Sequence, residues 1–163
     1  MSGARRRSLG GSSAGAVEMV VAVEQLGRHC APGPIVESVA VLPILLHDAD
    51  VSGPLSDLAE GRLATCAIGP LQPLAADTAA ADVYLVEDGV LSRATVQSTE
   101  PSVDSTRTLS RVTAGDVLAT GVDASDAADA GALATAAQLL GLGQAMLSIA
   151  SEYAQSRKQF GRP

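Results

Sequence analysis

Five clusters in this chain carry side chains with chemical capability, and each demands a particular setting. Residues 11–15, Gly-Ser-Ser-Ala-Gly, have the spacing of a serine-hydrolase nucleophile elbow, in which a strand ahead and a helix behind hold the serine in a strained, exposed turn. The ten residues ahead of Gly11 are too few and too polar to form that strand, so a flexible leader fits better. The segment also lacks the lysine of a phosphate-binding loop. His29 and Cys30 are adjacent, and adjacent residues on a helix point about 100° apart, which keeps them from sharing a metal. His47, Asp48 and Asp50 look more like a ligand set, yet they fall at a helix-to-loop transition where aspartates form turns. No metal site is expected. Gly141-Leu142-Gly143 has the look of a dinucleotide fingerprint, but no strand precedes it, so small residues admitting a close helix are the better explanation.

The fifth cluster is the closing run YAQSRKQFGRP, residues 153–163, which holds two of the chain's three aromatic residues. Tyr153, Arg157 and Phe160 recur four and three residues apart, so a helix running that far carries them on one face with Leu140, Leu147, Ala150 and Ala154. An arginine on a buried apolar stripe calls for an anion. Its guanidinium offers fixed donors matched to a carboxylate or phosphate, and a neighbouring ring offers a flat surface for a base or ring system. Spacing also admits the commoner alternative, an arginine snorkelling off the helix end onto a carboxylate of its own chain.

The elements that must position these residues follow from pattern. Residues 1–13 are small, basic and glycine-rich, and are expected to be a disordered leader. From about Ala14 to Cys30, Ala16, Val20, Val23 and Gly27 share one stripe while Glu18, Gln25 and Arg28 stay wet, which predicts a helix. Pro32 stops it, and Pro34 is placed to open a second helix, Ile35 to about Leu46, apolar nearly all round and kinked or split at Pro43. A polar connection with one helical turn near Leu55 to Glu60 follows. Between about 62 and 120, alternating valine- and threonine-rich runs and an Asp88-Gly89 turn predict four to six short antiparallel strands. From Asp126 to about Phe160 no proline intervenes, and one long helix is predicted, acidic at its start and basic at its end. The architecture is therefore α+β: the leader, helices over 14–61, a small antiparallel β middle domain over 62–122, and the start of a C-terminal helical bundle over 123–163.

Composition narrows the function. At 163 residues and a net charge of −7, the chain is one domain's worth of protein whose field repels nucleic acid and anionic membrane. No run reaches the ~20 uninterrupted apolar residues of a membrane span. Arg5, Arg6 and Arg7 resemble an export signal, but Glu18 and Glu24 interrupt the apolar segment that should follow, so a cytoplasmic location is expected. Cys30 and Cys66 are expected to be free, buried thiols.

The closing run resembles the first long helix of the C-terminal domain in acyl-CoA dehydrogenases, where a tyrosine-alanine step, an arginine and a QFG segment before a basic residue and proline recur. Residues 23–46, VEQLGRHCAPGPIVESVAVLPILL, resemble the end of that family's N-terminal helical domain. Residues 81–91 and 103–112 resemble the shortened middle domain of bacterial members that work as pairs of unlike subunits. The resemblance implies removal of two hydrogens from an acyl-CoA thioester, with FAD as hydride acceptor and an electron-transfer flavoprotein receiving the electrons. It implies that Arg157 and Phe160, with Gln159 as a further candidate, contact the pyrophosphate and adenosine side of FAD held mainly by a homologous or identical neighbouring subunit. No residue is assigned as the family's catalytic glutamate. Where the family carries Thr-Glu-Pro and Gly-Ser-Asp segments this chain has ATCAIGPLQPLAAD, residues 64–77, and it has no tryptophan. A chain dependent on a partner is one implication of these departures; a non-catalytic structural subunit or decayed fragment acting as an interaction module is the other.

Overall fold

The first helix, α1 (Ala16–Arg28), starts where Glu18 Oε2 accepts the backbone N–H of Gly15 at 2.8 Å, relieving one of the unpaired donors of a helix start. The computed structural model describes residues 15–158; the leader and the Ser12-Ser13 pair lie outside them. Pro32, Gly33 and Pro34 redirect the chain, and Ile35 and Val36 begin the next helical stretch. Its following turn, Glu37–Val41, is π-helical: the Leu42 N–H donates to the Glu37 carbonyl five residues back. Proline clashes with the carbonyl four residues before it and brings no donor, so the widening falls on the turn that Pro43 disturbs. The helix recovers as α2 (Leu42–Asp48), which realises the expected split, and α3 (Ser52–Ala59) extends the single turn expected there.

Five strands follow: β1 (Ala64–Ile68), β2 (Ala75–Ala76), β3 (Asp82–Glu87), β4 (Val90–Pro101) and β5 (Thr108–Thr120), in the order β1-β3-β4-β5-β2. Asp88 and Gly89 both take positive φ, 49° and 74°, which is the turn that matches strand twist between β3 and β4. The all-antiparallel expectation fails at one pair. β1 runs parallel to β3 because β2 leaves for the far edge beside β5 before the chain returns. β4 and β5 are also long, 12 and 13 residues, rather than short.

Side-chain alternation divides the sheet. Cys66, Ile68, Tyr84, Val86 and Leu91 face Val41, Leu42, Leu45 and Leu46 in the main core. On the other side, Ala67 of β1 and Ala75 of β2 join Leu85, with Ala94 and Val112 packed on them. Residues from both ends of the strand order thus meet in one small cluster, so the sheet curls until its edges approach. The α+β class holds, with a mixed rather than antiparallel sheet. The expected pair of buried free thiols also divides: Cys66 is buried and Cys30 is exposed.

The last helix, α4 (Ser125–Ser156), buries Ala127, Gly131, Ala134, Ala137 and Gly141. A Cβ at Gly141 would overlap the Glu24 carbonyl oxygen, and one at Gly27 would overlap that of Gln138, so α1 and α4 touch backbone to backbone. The Gly141 element is a packing device, as its sequence setting suggests. Contrary to the expectation that no run reaches span length, α4 carries no charged residue between Asp129 and Glu152 and is long and apolar enough, by length and composition alone, to cross a membrane. Within the chain its first half serves as the cover of α1 and the π turn.

Candidate functional site

Two places on this frame could hold a ligand. The first is a cavity of about 440 Å³ between the π turn, the β1–β2 connection and the first half of α4, lined in part by Ile35, Glu37, Ile68, Leu71, Gln72 and Gly131. Its geometry is built from the sequence around Glu37. Ser38 Oγ donates to the Ala64 carbonyl at 2.7 Å and accepts the Ala64 N–H at 3.0 Å, which ties the π turn to the start of β1. Gln72 donates through Nε2 to Glu37 Oε1 at 3.0 Å and to the Cys66 carbonyl at 3.3 Å, which ties the same turn to the connection after β1. Glu37 is 8% exposed. Burial pushes the Cys66 thiol up, and the neighbouring Glu37 carboxylate pushes it the same way, so this cysteine stays a neutral thiol. On the same wall Arg107 Nε sits 2.7 Å from Asp77 Oδ2.

The second place is the end of α4. The helix stops at Ser156, short of the expected Phe160, and Arg157 has an extended backbone with φ −75° and ψ 112°. No basic residue therefore falls in the last turn. Arg157 and Tyr153 are brought together as their spacing indicates: the guanidinium donates to the Tyr153 hydroxyl and lies 5.3 Å from the ring centroid. Both residues are exposed. Gln159 and Phe160 lie outside the described residues.

The stripe expected to be buried beside Arg157 is not. Leu140 is 55% exposed and Leu147 69%, because α1 packs on the opposite, alanine- and glycine-bearing face, which alone allows so close an approach. Gln138, at the cavity, and Arg157 stand 19 residues apart, roughly 28 Å along a helix, so within this chain they are separate sites. Sequence reasoning missed Glu37. Its signal was there: one carboxylate in an otherwise apolar run, one turn and a half ahead of a proline. Among the described residues no three of histidine, cysteine, aspartate and glutamate gather as a metal-ligand set.

No protein-family model matches the chain. It is similar to acyl-CoA dehydrogenase IpdE2 of Mycolicibacterium smegmatis, 31% identical over 159 residues that cover 94% of this chain and 50% of that protein. It is likewise similar to acyl-CoA dehydrogenase IpdE2 of Mycobacterium tuberculosis, 31% identical over 159 residues, 95% of this chain and 49% of that one. The chain spans about half the length of the curated relatives it matches. Among solved structures, the ChsE4-ChsE5 complex from Mycobacterium tuberculosis has the same fold, with a TM-score of 0.67 at 20% identity over 96% of this chain and 55% of that one.

Proposed function

The chain is a divergent member of the acyl-CoA dehydrogenase family, and from that premise we propose that it is a flavoprotein subunit that works with a second, homologous chain in the α,β-dehydrogenation of an acyl-CoA thioester. FAD supplies the hydride acceptor when bound, and an electron-transfer flavoprotein takes up the electrons. Arg157, with Phe160 and Gln159 beyond it, contributes one wall of a cofactor site completed by the second chain.

The observation carrying this reading is the end of α4. An exposed guanidinium steadied on a ring stands beside an apolar face that is itself exposed. A guanidinium held this way suits a diphosphate, which it can meet with two parallel donors. These described residues fit one contact to such a group, as a site shared with a second chain requires. That the structurally similar ChsE4-ChsE5 assembly is a complex of two named chains supports it further.

Co-expression with candidate homologous chains tests it. Flavin should co-purify with the pair, acyl-CoA-dependent dye reduction should need both chains, and Arg157→Lys should lower flavin retention about tenfold, since lysine loses the bidentate geometry. A pair that stays flavin-free with every homologous chain overturns the proposal. The competing reading is a non-catalytic supporting subunit, favoured by the stretch ATCAIGPLQPLAAD, residues 64–77, standing where the family carries its Thr-Glu-Pro and Gly-Ser-Asp segments. It predicts full turnover and unchanged flavin content after Arg157→Ala.

A further inference from the structure

We propose that the chain pairs with a second copy of itself, α4 against α4 and antiparallel, along the face of the helix that lies opposite α1. The inference concerns the chain by itself and stands apart from the flavoprotein reading. Its basis is a seven-residue repeat. Leu133, Leu140 and Leu147 form one row along α4, and Ala136, Gly143 and Ala150 form a second row three residues further on. Alternating steps of three and four are the seam of paired helices. All six residues are exposed, the leucines by 45%, 55% and 69%. Ala134 and Gly141, on the other side of the helix, are the ones that meet α1.

The two rows complement each other in one direction. Both are arranged about a point between Gly141 and Leu142, so a second copy turned end for end sets Leu133 opposite Ala150, Leu140 opposite Gly143 and Leu147 opposite Ala136. Each layer then joins one large and one small side chain, which interdigitate and let the helices come close. At Gly143 nothing lies within 4 Å of a Cβ, which leaves the room a facing leucine needs. In-register parallel pairing would instead stack leucine on leucine and small on small, with gaps between. A two-fold axis through the midpoint makes the surface complementary to itself, as a dimer of identical chains requires. Charge selects the same direction. The two-fold brings Asp126, seven residues ahead of Leu133, opposite Arg157, seven beyond Ala150. Both are exposed, so the ion pair adds little affinity, but parallel helices would set aspartate against aspartate. A diphosphate at Arg157 would compete with this contact without touching the leucine layers. From Leu133 to Ala150 is roughly 25 Å of helix, short enough for two helices crossing at about 20° to hold the seam despite a drift of ~20° per heptad.

Sedimentation equilibrium on the full chain tests this, together with cysteine cross-linking in a Cys30→Ser background, where the remaining native thiol, Cys66, is buried. The native chain should be a dimer at micromolar concentration. Leu140→Glu and Gly143→Leu should each weaken the dimer about tenfold or more, the first by burying a charge and the second by filling the space that Leu140 of the second copy takes. Ile149→Glu makes the same change of character at an exposed residue about 200° around the helix from Leu147. It should alter the dissociation constant by no more than about twofold. Mixing Leu133→Cys chains with Ala150→Cys chains should give a disulfide-linked mixed dimer, and neither variant alone should link to itself. A monomeric native chain, a dimer that survives both Leu140→Glu and Gly143→Leu, equal weakening by Ile149→Glu, or self-linking of the single variants in place of the mixed product would overturn the proposal. So would a native chain that associates only with phosphatidylcholine vesicles or only with a homologous chain, which would make a membrane or that chain the occupant of the face. Should a substituted chain not fold, the native mass and the cross-linking pair still decide. None of these readouts involves flavin or a thioester, so failure here leaves the family-based reading standing.

Discussion

Between Ala127 and Gly141, α4 turns alanine and glycine inward and meets the backbone of α1, whereas beyond that point Met146, Leu147, Ile149 and Tyr153 stand 55–69% exposed. From Gly143 to Lys158 every described residue except Ala145 is exposed. The two halves are alike in hydropathy and both are helical. They differ in what residue size permits. Small side chains let a neighbouring backbone approach until the helices touch, so contact is made within the chain. Large side chains hold a neighbour off at ordinary helix spacing and gain about 1.5–3 kcal/mol each only when another surface covers them. One half is thus covered by packing among the described residues, and the other is left open to a further surface.

The strongest attack on this contrast is Gly141→Ala. The added methyl group overlaps the Glu24 carbonyl oxygen, so the two helices must separate, and a loss of about 3 kcal/mol is expected from the shift of the urea midpoint. A loss under about 0.5 kcal/mol would mean that α1 and α4 are not in backbone contact. Next in size, Met146→Glu with Leu147→Glu should lower self-association at least tenfold by sedimentation equilibrium, since both sites lie on the exposed apolar face. Stability should move by no more than about 0.5 kcal/mol. If the native chain is already a sharp monomer, the association half of the comparison fails.

Gly143→Ala sharpens the contrast from the other side. It lies two residues from Gly141 with nothing within 4 Å of a Cβ, so the same substitution should stabilise the helix by about 0.5–1 kcal/mol. The smallest effect concerns the approach to α4. The Ser125 hydroxyl, then the Ser125 backbone N–H, hold the Asp123 carboxyl below its ordinary value of 3.8. A depressed carboxyl value stabilises the fold in full above the ordinary value and loses that contribution as pH falls through the folded one. Asp123→Ala should therefore lower the melting temperature slightly near neutral pH, and the gap from the native chain should close in acid. A gap that widens in acid would reverse the sign.

Much of the frame was legible because its causes are local. The stripe of Ala16, Val20, Val23 and Gly27 becomes α1, Pro43 splits the second helix, and Asp88-Gly89 supplies the turn that only positive φ allows. The parallel pairing of β1 with β3 was not legible, since the two-residue strand that crosses between them carries too little sequence to declare an edge. Glu37 was passed over for a related reason. A lone acid in an apolar helix becomes a cavity wall only when Gln72, 35 residues on, reaches it.

By itself, the sequence determined most helix and turn positions, the small residues at Gly141 that can admit a close helix, and the Tyr153–Arg157 contact, all of which depend on neighbours within a few residues along the chain. Only the tertiary structure decided which face of α4 is covered, where the edge strands go and that Glu37 looks into a cavity. Burial and pairing join residues distant in sequence, and their free energy belongs to the whole arrangement rather than to any one stretch of it.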